Sequence, residues 1–197
     1  NTYFTPGMAF NLAQGQYRIA IAPQGLTTTS WAETITVMPG TTLTLEAGTV
    51  VKFAEGAELR VRGTLTALGN PAAPVYFTSL QNDLGGDTNT DGSASEPSVF
   101  DDWYIYLTNG GMNTLRHAAI SYSNGGIFFD GADGVLENVS LMDMGYGIAA
   151  RGGTLTGNNV TIARVDGDAL VGMNSATLSV SGLSIDDVLG DATALYE

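Results

Sequence analysis

The sequence predicts an all-β solenoid with one coil for every 21 or 22 residues, and three observations carry that prediction. A fixed spacing recurs: Leu115, Ala118, Ile120 and Ile127 are followed 21 residues later by Leu136, Val139, Leu141 and Ile148. Within each copy apolar and polar residues alternate, the period of a strand with one buried face. Bends containing Gly or Asp separate the copies, in a chain with 26 glycines among 197 residues, a composition that suits strands joined by tight turns. A coil this short has no room for helices of ordinary length, and alternation lets each coil stack its apolar side on the coil below. Roughly seven coils at about 4.8 Å each predict a rod on the order of 35 Å long.

Taken in chain order, residues 1–31 come first and lie outside the repeat. Their stretch FNLAQGQYRIAIAP alternates well, with Tyr17, Ile19 and Ile21 against Arg18 and Ala20. It reads as an N-terminal cap or as a strand donated to a neighbour. Residues 32–197 form the solenoid. TLTLEAG starts at Thr42 and TLTALG at Thr64, 22 residues apart. A strand VYFTS (75–79) and a strand DDWYIYL (101–107) bracket an excursion over 80–100. The 115–127 and 136–148 copies follow. Val160 and Ile162 then stand 21 residues beyond Val139 and Leu141, and Leu178, Leu183 and Ile185 make a further copy at a spacing of 23. The C-terminal LSIDDVLGDATALYE still reads as a coil and offers no clear cap.

The stretch TTLTLEAGTVVKFAEGAELRVRGTLTALGNPAAPVYFTS resembles the recurring unit of secreted bacterial right-handed parallel β-helix proteins of the surface or structural type. In that unit a leucine-threonine strand leads through a glycine turn to a VVKF-like strand, a small GTL coil and a proline-led FTS strand. The likeness is strong over about 35–110, generic beyond it and lacking over 1–30. It implies a single-stranded right-handed parallel β-helix with an acidic side loop and an extracellular surface or structural role, in a family that is catalytically mixed.

Charge narrows the partners. Twenty acids against seven bases give a net charge of −13. That balance argues against nucleic acid, which needs clustered Lys and Arg, and against anionic membrane surfaces; it favours cations. With no cysteine, neither a disulfide framework nor a thiolate site is available. No apolar run reaches the roughly 18 residues of a membrane span. NTYFTPGMAF lacks the form of a signal peptide, so either a leader has been removed or that route was not used.

The excursion concentrates chemistry. Asp87-Thr88-Asn89-Thr90-Asp91-Gly92 spells D-x-N-x-D-G, the front half of a calcium loop, with side-chain oxygens at alternate positions of a tight turn. Calcium takes about 6–8 oxygens, so further ligands are required; Asp83, Glu96 and the carbonyl of Ser93 are the candidates, with Asp101 and Asp102 close in sequence. The twelfth position is Ser98, where an EF-hand needs a bidentate glutamate, and no helical pattern flanks the loop. A solvated acidic loop is the plain alternative. Against it, six acids and no base lie between 83 and 102. The expectation is therefore a Ca2+-organised loop with a structural task, its metal residues Asp87, Asn89, Asp91, Ser93, Asp83 and Glu96. Asp130-Gly-Ala-Asp133-Gly and Asp166-Gly-Asp168 read as turns.

An enzyme acting on polysaccharides is the main rival. Asn89-Thr90-Asp91 and Asp101-Asp102 match the NTD and DD elements of polygalacturonase-like hydrolases. The same family's G-H-G and R-I-K motifs are missing, and a lyase would need a basic residue where the chain offers one lysine, Lys52, and scattered arginines. His117 has a structural account, since it precedes Ala118 as Asn138 precedes Val139 and Asn159 precedes Val160, a polar ladder at a spacing of 21. Asn138 and Asn159 also open glycosylation sequons. T-L-T pairs at Thr42/Thr44, Thr64/Thr66 and Thr154/Thr156 suggest an ice-binding face as a third class, but they skip the middle coils. The expected function is a non-catalytic extracellular structural protein that assembles with copies of itself through its ends. Surface glycans are a further candidate partner.

Overall fold

The computed structural model describes residues 2–4, 9–12, 15–19, 34–87, 89–108 and 111–196; side-chain placements of the N-terminal residues 1–33, including Tyr3, Phe4, Met8 and Phe10, lie outside the described residues. The described residues contain strands and turns with no helix, in a stack of parallel coils. The first coil comprises β1 (Thr2–Phe4), β2 (Ala9–Leu12) and β3 (Gly15–Ile19). The second has β4 (Thr34–Val37), β5 (Thr42–Glu46) and β6 (Thr49–Phe53), and the third β7 (Ala57–Val61), β8 (Thr64–Leu68) and β9 (Val75–Ser79). From there each coil has two strands: β10 (Trp103–Thr108) with β11 (Asn113–Ser123), β12 (Gly126–Asp130) with β13 (Gly134–Met144), β14 (Ile148–Arg151) with β15 (Thr154–Val165), and β16 (Leu170–Met173) with β17 (Thr177–Val188). β18 (Thr193–Tyr196) begins an eighth.

Three faces result. The first is an eight-stranded parallel sheet ordered β1-β4-β7-β10-β12-β14-β16-β18. The second runs through β2, β5 and β8 into the first halves of β11, β13, β15 and β17, and the third through β3, β6 and β9 into their second halves. The expected N-terminal segment is thus represented by three strands that pair in parallel with this chain's own second coil. Thr2 stands opposite Ile35, a spacing of 33 residues, which is why no 21-residue repeat is visible there.

Apolar side chains fill the inward positions of the interior coils. Leu59, Leu65, Phe77, Ile105, Leu136 and Ile162 are fully buried, one set above the next. Trp103 stacks on Phe53 with centroids 4.1 Å apart and planes 3° from parallel, and its indole N–H donates to the Tyr122 carbonyl, so its one polar atom is satisfied. Removing such side chains from water, at about 25 cal/mol per Å2 of apolar surface, is the main force holding a chain without disulfides.

Corners explain how one strand serves two faces. His117, Asn138 and Asn159 have φ of 45°, 54° and 56°, and Gly182 continues the column at 61°. A single left-handed residue turns the chain from the second face to the third while the hydrogen-bond ladder resumes one residue on. Asn and Gly tolerate that conformation best. Asn159 Nδ2 donates to Asn138 Oδ1 at 2.8 Å, forming a rung between coils. Tyr122, Asp143, Arg164 and Asp187 make a second left-handed column, with φ from 52° to 60°.

Candidate functional site

The acidic excursion leaves after Ser79 and returns at Trp103, lying across the outward side of β6 and β9. Lys52 and Thr78 point outward there, yet are only 1% and 0% exposed, because the loop covers them. Lys52 Nζ donates to the Gly86 carbonyl at 2.7 Å, and Asn82 Nδ2 donates to Thr78 Oγ1 at 2.9 Å. The chain's single lysine thus lies beneath its densest run of acid. Burying an ammonium group is costly unless it is hydrogen-bonded and balanced by negative charge, and the loop supplies both. Sequence reasoning counted six acids without a base; the base comes from a strand one coil below.

Within the loop, five of the six candidate metal residues, Asp83, Asp87, Asn89, Asp91 and Ser93, are tied into the turn by hydrogen bonds. Asp87 accepts the Thr90 N–H at 2.7 Å and the Gly92 N–H at 2.9 Å. Asp91 accepts the N–H groups of Ala94 and Ser95 and the Ser95 hydroxyl; that hydroxyl, first, and the backbone donors hold its carboxyl below the usual value. Ser93 donates its hydroxyl to Asp83, closing the base of the loop. Asn89 Nδ2 donates to Asp91 and Ser95, each at 2.9 Å, while its Oδ1 is buried and accepts nothing among the described residues. Glu96 is exposed. Among the described residues, no three Asp, Glu or His side chains converge as a metal cluster. Loop donors meet the carboxylates, leaving one buried amide oxygen over.

The other sequence-marked groups separate. Asp101 is 8% exposed and accepts the Ser98 N–H, whereas Asp102 faces solvent and Asn89-Thr90-Asp91 lies in the loop turn. His117 sits in the corner column described above. Thr42/Thr44 align with Thr64/Thr66, and Thr114 extends the second column, which Val135 interrupts before Thr156. Four arginines pair with acids: Arg60 with Glu58, Arg116 with Glu137, Arg151 with Asp130 and Arg164 with Asp143, at 2.6–2.8 Å.

Two further features stand out in the structure. On the outward side of the first face, Tyr106 stacks on Phe128 at 5.0 Å, with Arg60 over one ring and Arg151 over the other. Tyr106 Oη donates to Asp130 at 2.7 Å; this bond, and then Arg151, hold the Asp130 carboxyl below its usual range. Beside Phe128 a hollow of about 200 Å3 is walled by Tyr146, Ala149, Asp168 and Val171. Tyr146 is 56% exposed and lies over Gly167, where a Cβ would approach its ring to 2.5 Å.

The second is the last coil. In β15 the inward residues Leu155, Val160, Ile162 and Val165 are 0–1% exposed, but their partners in β17, Leu178, Leu183, Ile185 and Val188, are only partly covered. Leu189 and Leu195 are 78% and 79% exposed. A hollow of about 260 Å3 opens here among Leu170, Leu178, Val180, Leu183, Ala194 and Leu195. An apolar end of this kind cannot stay in water without cost. The C-terminal copies were visible by spacing and offered no clear cap, and nothing in the described residues covers them. No protein-family model matches the chain, and no curated protein matches it either.

Proposed function

We propose that the chain is a non-catalytic, extracellular structural subunit, secreted to a cell surface, that joins copies of itself end to end into a fibre or surface layer. The observation that carries this reading is the apolar end at β17 and β18, which no described residue covers, with strand edges left unpaired among the described residues. Further support comes from the dispersal of the carboxylates an enzyme would need together. The resemblance to secreted surface solenoids supports the extracellular address.

The acidic loop belongs to the same reading as a Ca2+-held brace. Asp87, Asn89, Asp91, Ser93, Asp83 and Glu96 would hold the ion, which would supply positive charge to a loop where Lys52 offsets one of six acids. The buried, unsatisfied Asn89 Oδ1 and the D-x-N-x-D-G pattern support it. The test is negative-stain electron microscopy of the full chain in calcium and in EGTA, alongside its melting temperature. Filaments or sheets in calcium, with a lower melting temperature in EGTA, are expected. Single particles in both buffers would refute assembly, and an unchanged melting temperature would refute the brace.

A second reading, glycan binding, has its own observation: the exposed ring of Tyr146 and the half-buried ring of Phe128 beside a hollow edged by Asp168. Aromatic faces and a hydroxyl acceptor suit a neutral sugar. Retention of the full chain on neutral polysaccharide, lost in Phe128→Ala, is the expected result; equal retention of the variant would remove this reading.

A further inference from the structure

We propose that copies stack head to tail in the register of the coils themselves, with Asp186 of one copy set beside Arg18 of the next; this rests on the end-to-end assembly proposed above. Three columns, one on each face, follow the coils from end to end. On the first face, Phe4, Val37, Val61, Leu107, Phe129, Ala150, Gly172 and Leu195 stand in successive register. On the second, the column runs from Leu12 through Leu45, Ala67, Leu115, Leu136 and Gly157 to Val180. On the third, it runs from Tyr17 through Val51, Phe77, Ile120, Leu141 and Ile162 to Ile185. Each column ends at an apolar residue on both ends. Two of them reach glycine just before the C-terminal residue, Gly172 and Gly157, beside the hollow that the last coil leaves open. Bulky residues stand at the opposite ends of these columns, at Phe4 and Leu12.

Strand direction is compatible as well. All named pairings are parallel, so the edges of β18 and β1 that pair with nothing among the described residues have the same polarity. The two halves of β17 correspond in the same way to β2 and β3. Such a contact is heterologous and does not close on itself, the geometry of a filament.

Charge selects the register. One register column on the third face runs from Arg18 through Lys52, Thr78, Ser121, Met142 and Ala163 to Asp186. Its only acid is at one end, and that end is exposed; the opposite end is a base. In-register stacking places them as neighbours. A slip of one residue would turn the apolar columns outward and part the charges.

The absence of cysteine makes the test clean. Adjacent strands place Cα atoms about 4.8 Å apart, within the roughly 4.4–6.8 Å a disulfide spans. Full-length Arg18→Cys and Asp186→Cys chains, mixed under mild oxidation, should give a cross-linked dimer that neither gives alone; a chain carrying both should give a ladder of multimers. Asp186→Arg should reduce assembly at least tenfold, and adding Arg18→Asp should restore it. If light scattering shows assembly but the mixed pair stays uncross-linked and the double reversal fails, the register is wrong and assembly stands. If Asp186→Cys cross-links alone, the contact is tail to tail and the proposal falls. Monomers throughout would overturn the assembly reading itself.

Discussion

The two halves of the solenoid turn their corners by different means. Up to Ser79 the second and third faces are separate strands joined by turns: Gly48, at φ 78°, lies between β5 and β6, and Asn70, whose side chain accepts the Ala72 and Ala73 N–H groups, lies between β8 and β9. From Asn113 onward one left-handed residue does the same task inside a continuous strand. The stack passes from one mode to the other without losing register, since β8 and β9 both pair with β11. Inward columns therefore set the register and corners merely accommodate it. The turn-built half can accept an insertion at a coil boundary, and that is where the acidic loop sits. The regular half carries the charge pairs between coils.

Ways to break this comparison follow from it. The largest effects should be alike in both halves, because both rest on the same columns: Phe53→Ala should cost about 3–5 kcal/mol and Ile162→Ala about 2–5 kcal/mol, read by denaturant unfolding. Ile185→Ala, one coil further on and covered from one side, should cost less than half as much in dilute monomer. Lys52→Met acts only on the turn-built half. Losing a hydrogen bond from a charged donor, worth about 1.5–3 kcal/mol, should free the loop and direct limited proteolysis to residues 80–102.

Smaller effects test the corners of the regular half. Asn159→Ala should cost about 1–2 kcal/mol for a left-handed alanine, while Asn159→Gly should be close to neutral apart from its lost rung to Asn138. Equal costs would mean that the side chain, not the backbone, matters there. Arg164→Ala removes a half-exposed ion pair with Asp143 and should cost only about 0.2–1 kcal/mol, shrinking with added salt. Acid should touch both halves. Asp91 and Asp130 have folded pKa values below the ordinary 3.8, so their contributions are present above that pH and are lost as pH falls through the lowered values. A midpoint indifferent to pH below about 4 would contradict both.

Much of this was legible in the sequence. The columns through Leu115, Leu136, Val139, Val160 and Leu183 follow directly from spacing, because a stacked coil repeats its inward side chains at a fixed interval. The ladder of His117, Asn138 and Asn159 was readable for the same reason, although its left-handed backbone was not. The first coil escaped notice because 33 residues separate Thr2 from its partner Ile35. The partnership of Lys52 with the loop was hidden too: Gly86 is 34 positions away and meets it only because the excursion folds back over an outward face. Of the candidate metal residues, the Asp87, Asn89 and Asp91 turn was visible as a motif, while the unsatisfied Asn89 Oδ1 required the packed loop.

The most direct test of the structural-subunit reading is molar mass by light scattering, measured on the full chain across a hundredfold range of concentration. Head-to-tail stacking predicts a mass that rises steadily with concentration, without levelling at a dimer, and that collapses when Leu183 and Ile185 are both changed to Asp. A constant mass near 20.5 kDa at every concentration would contradict it.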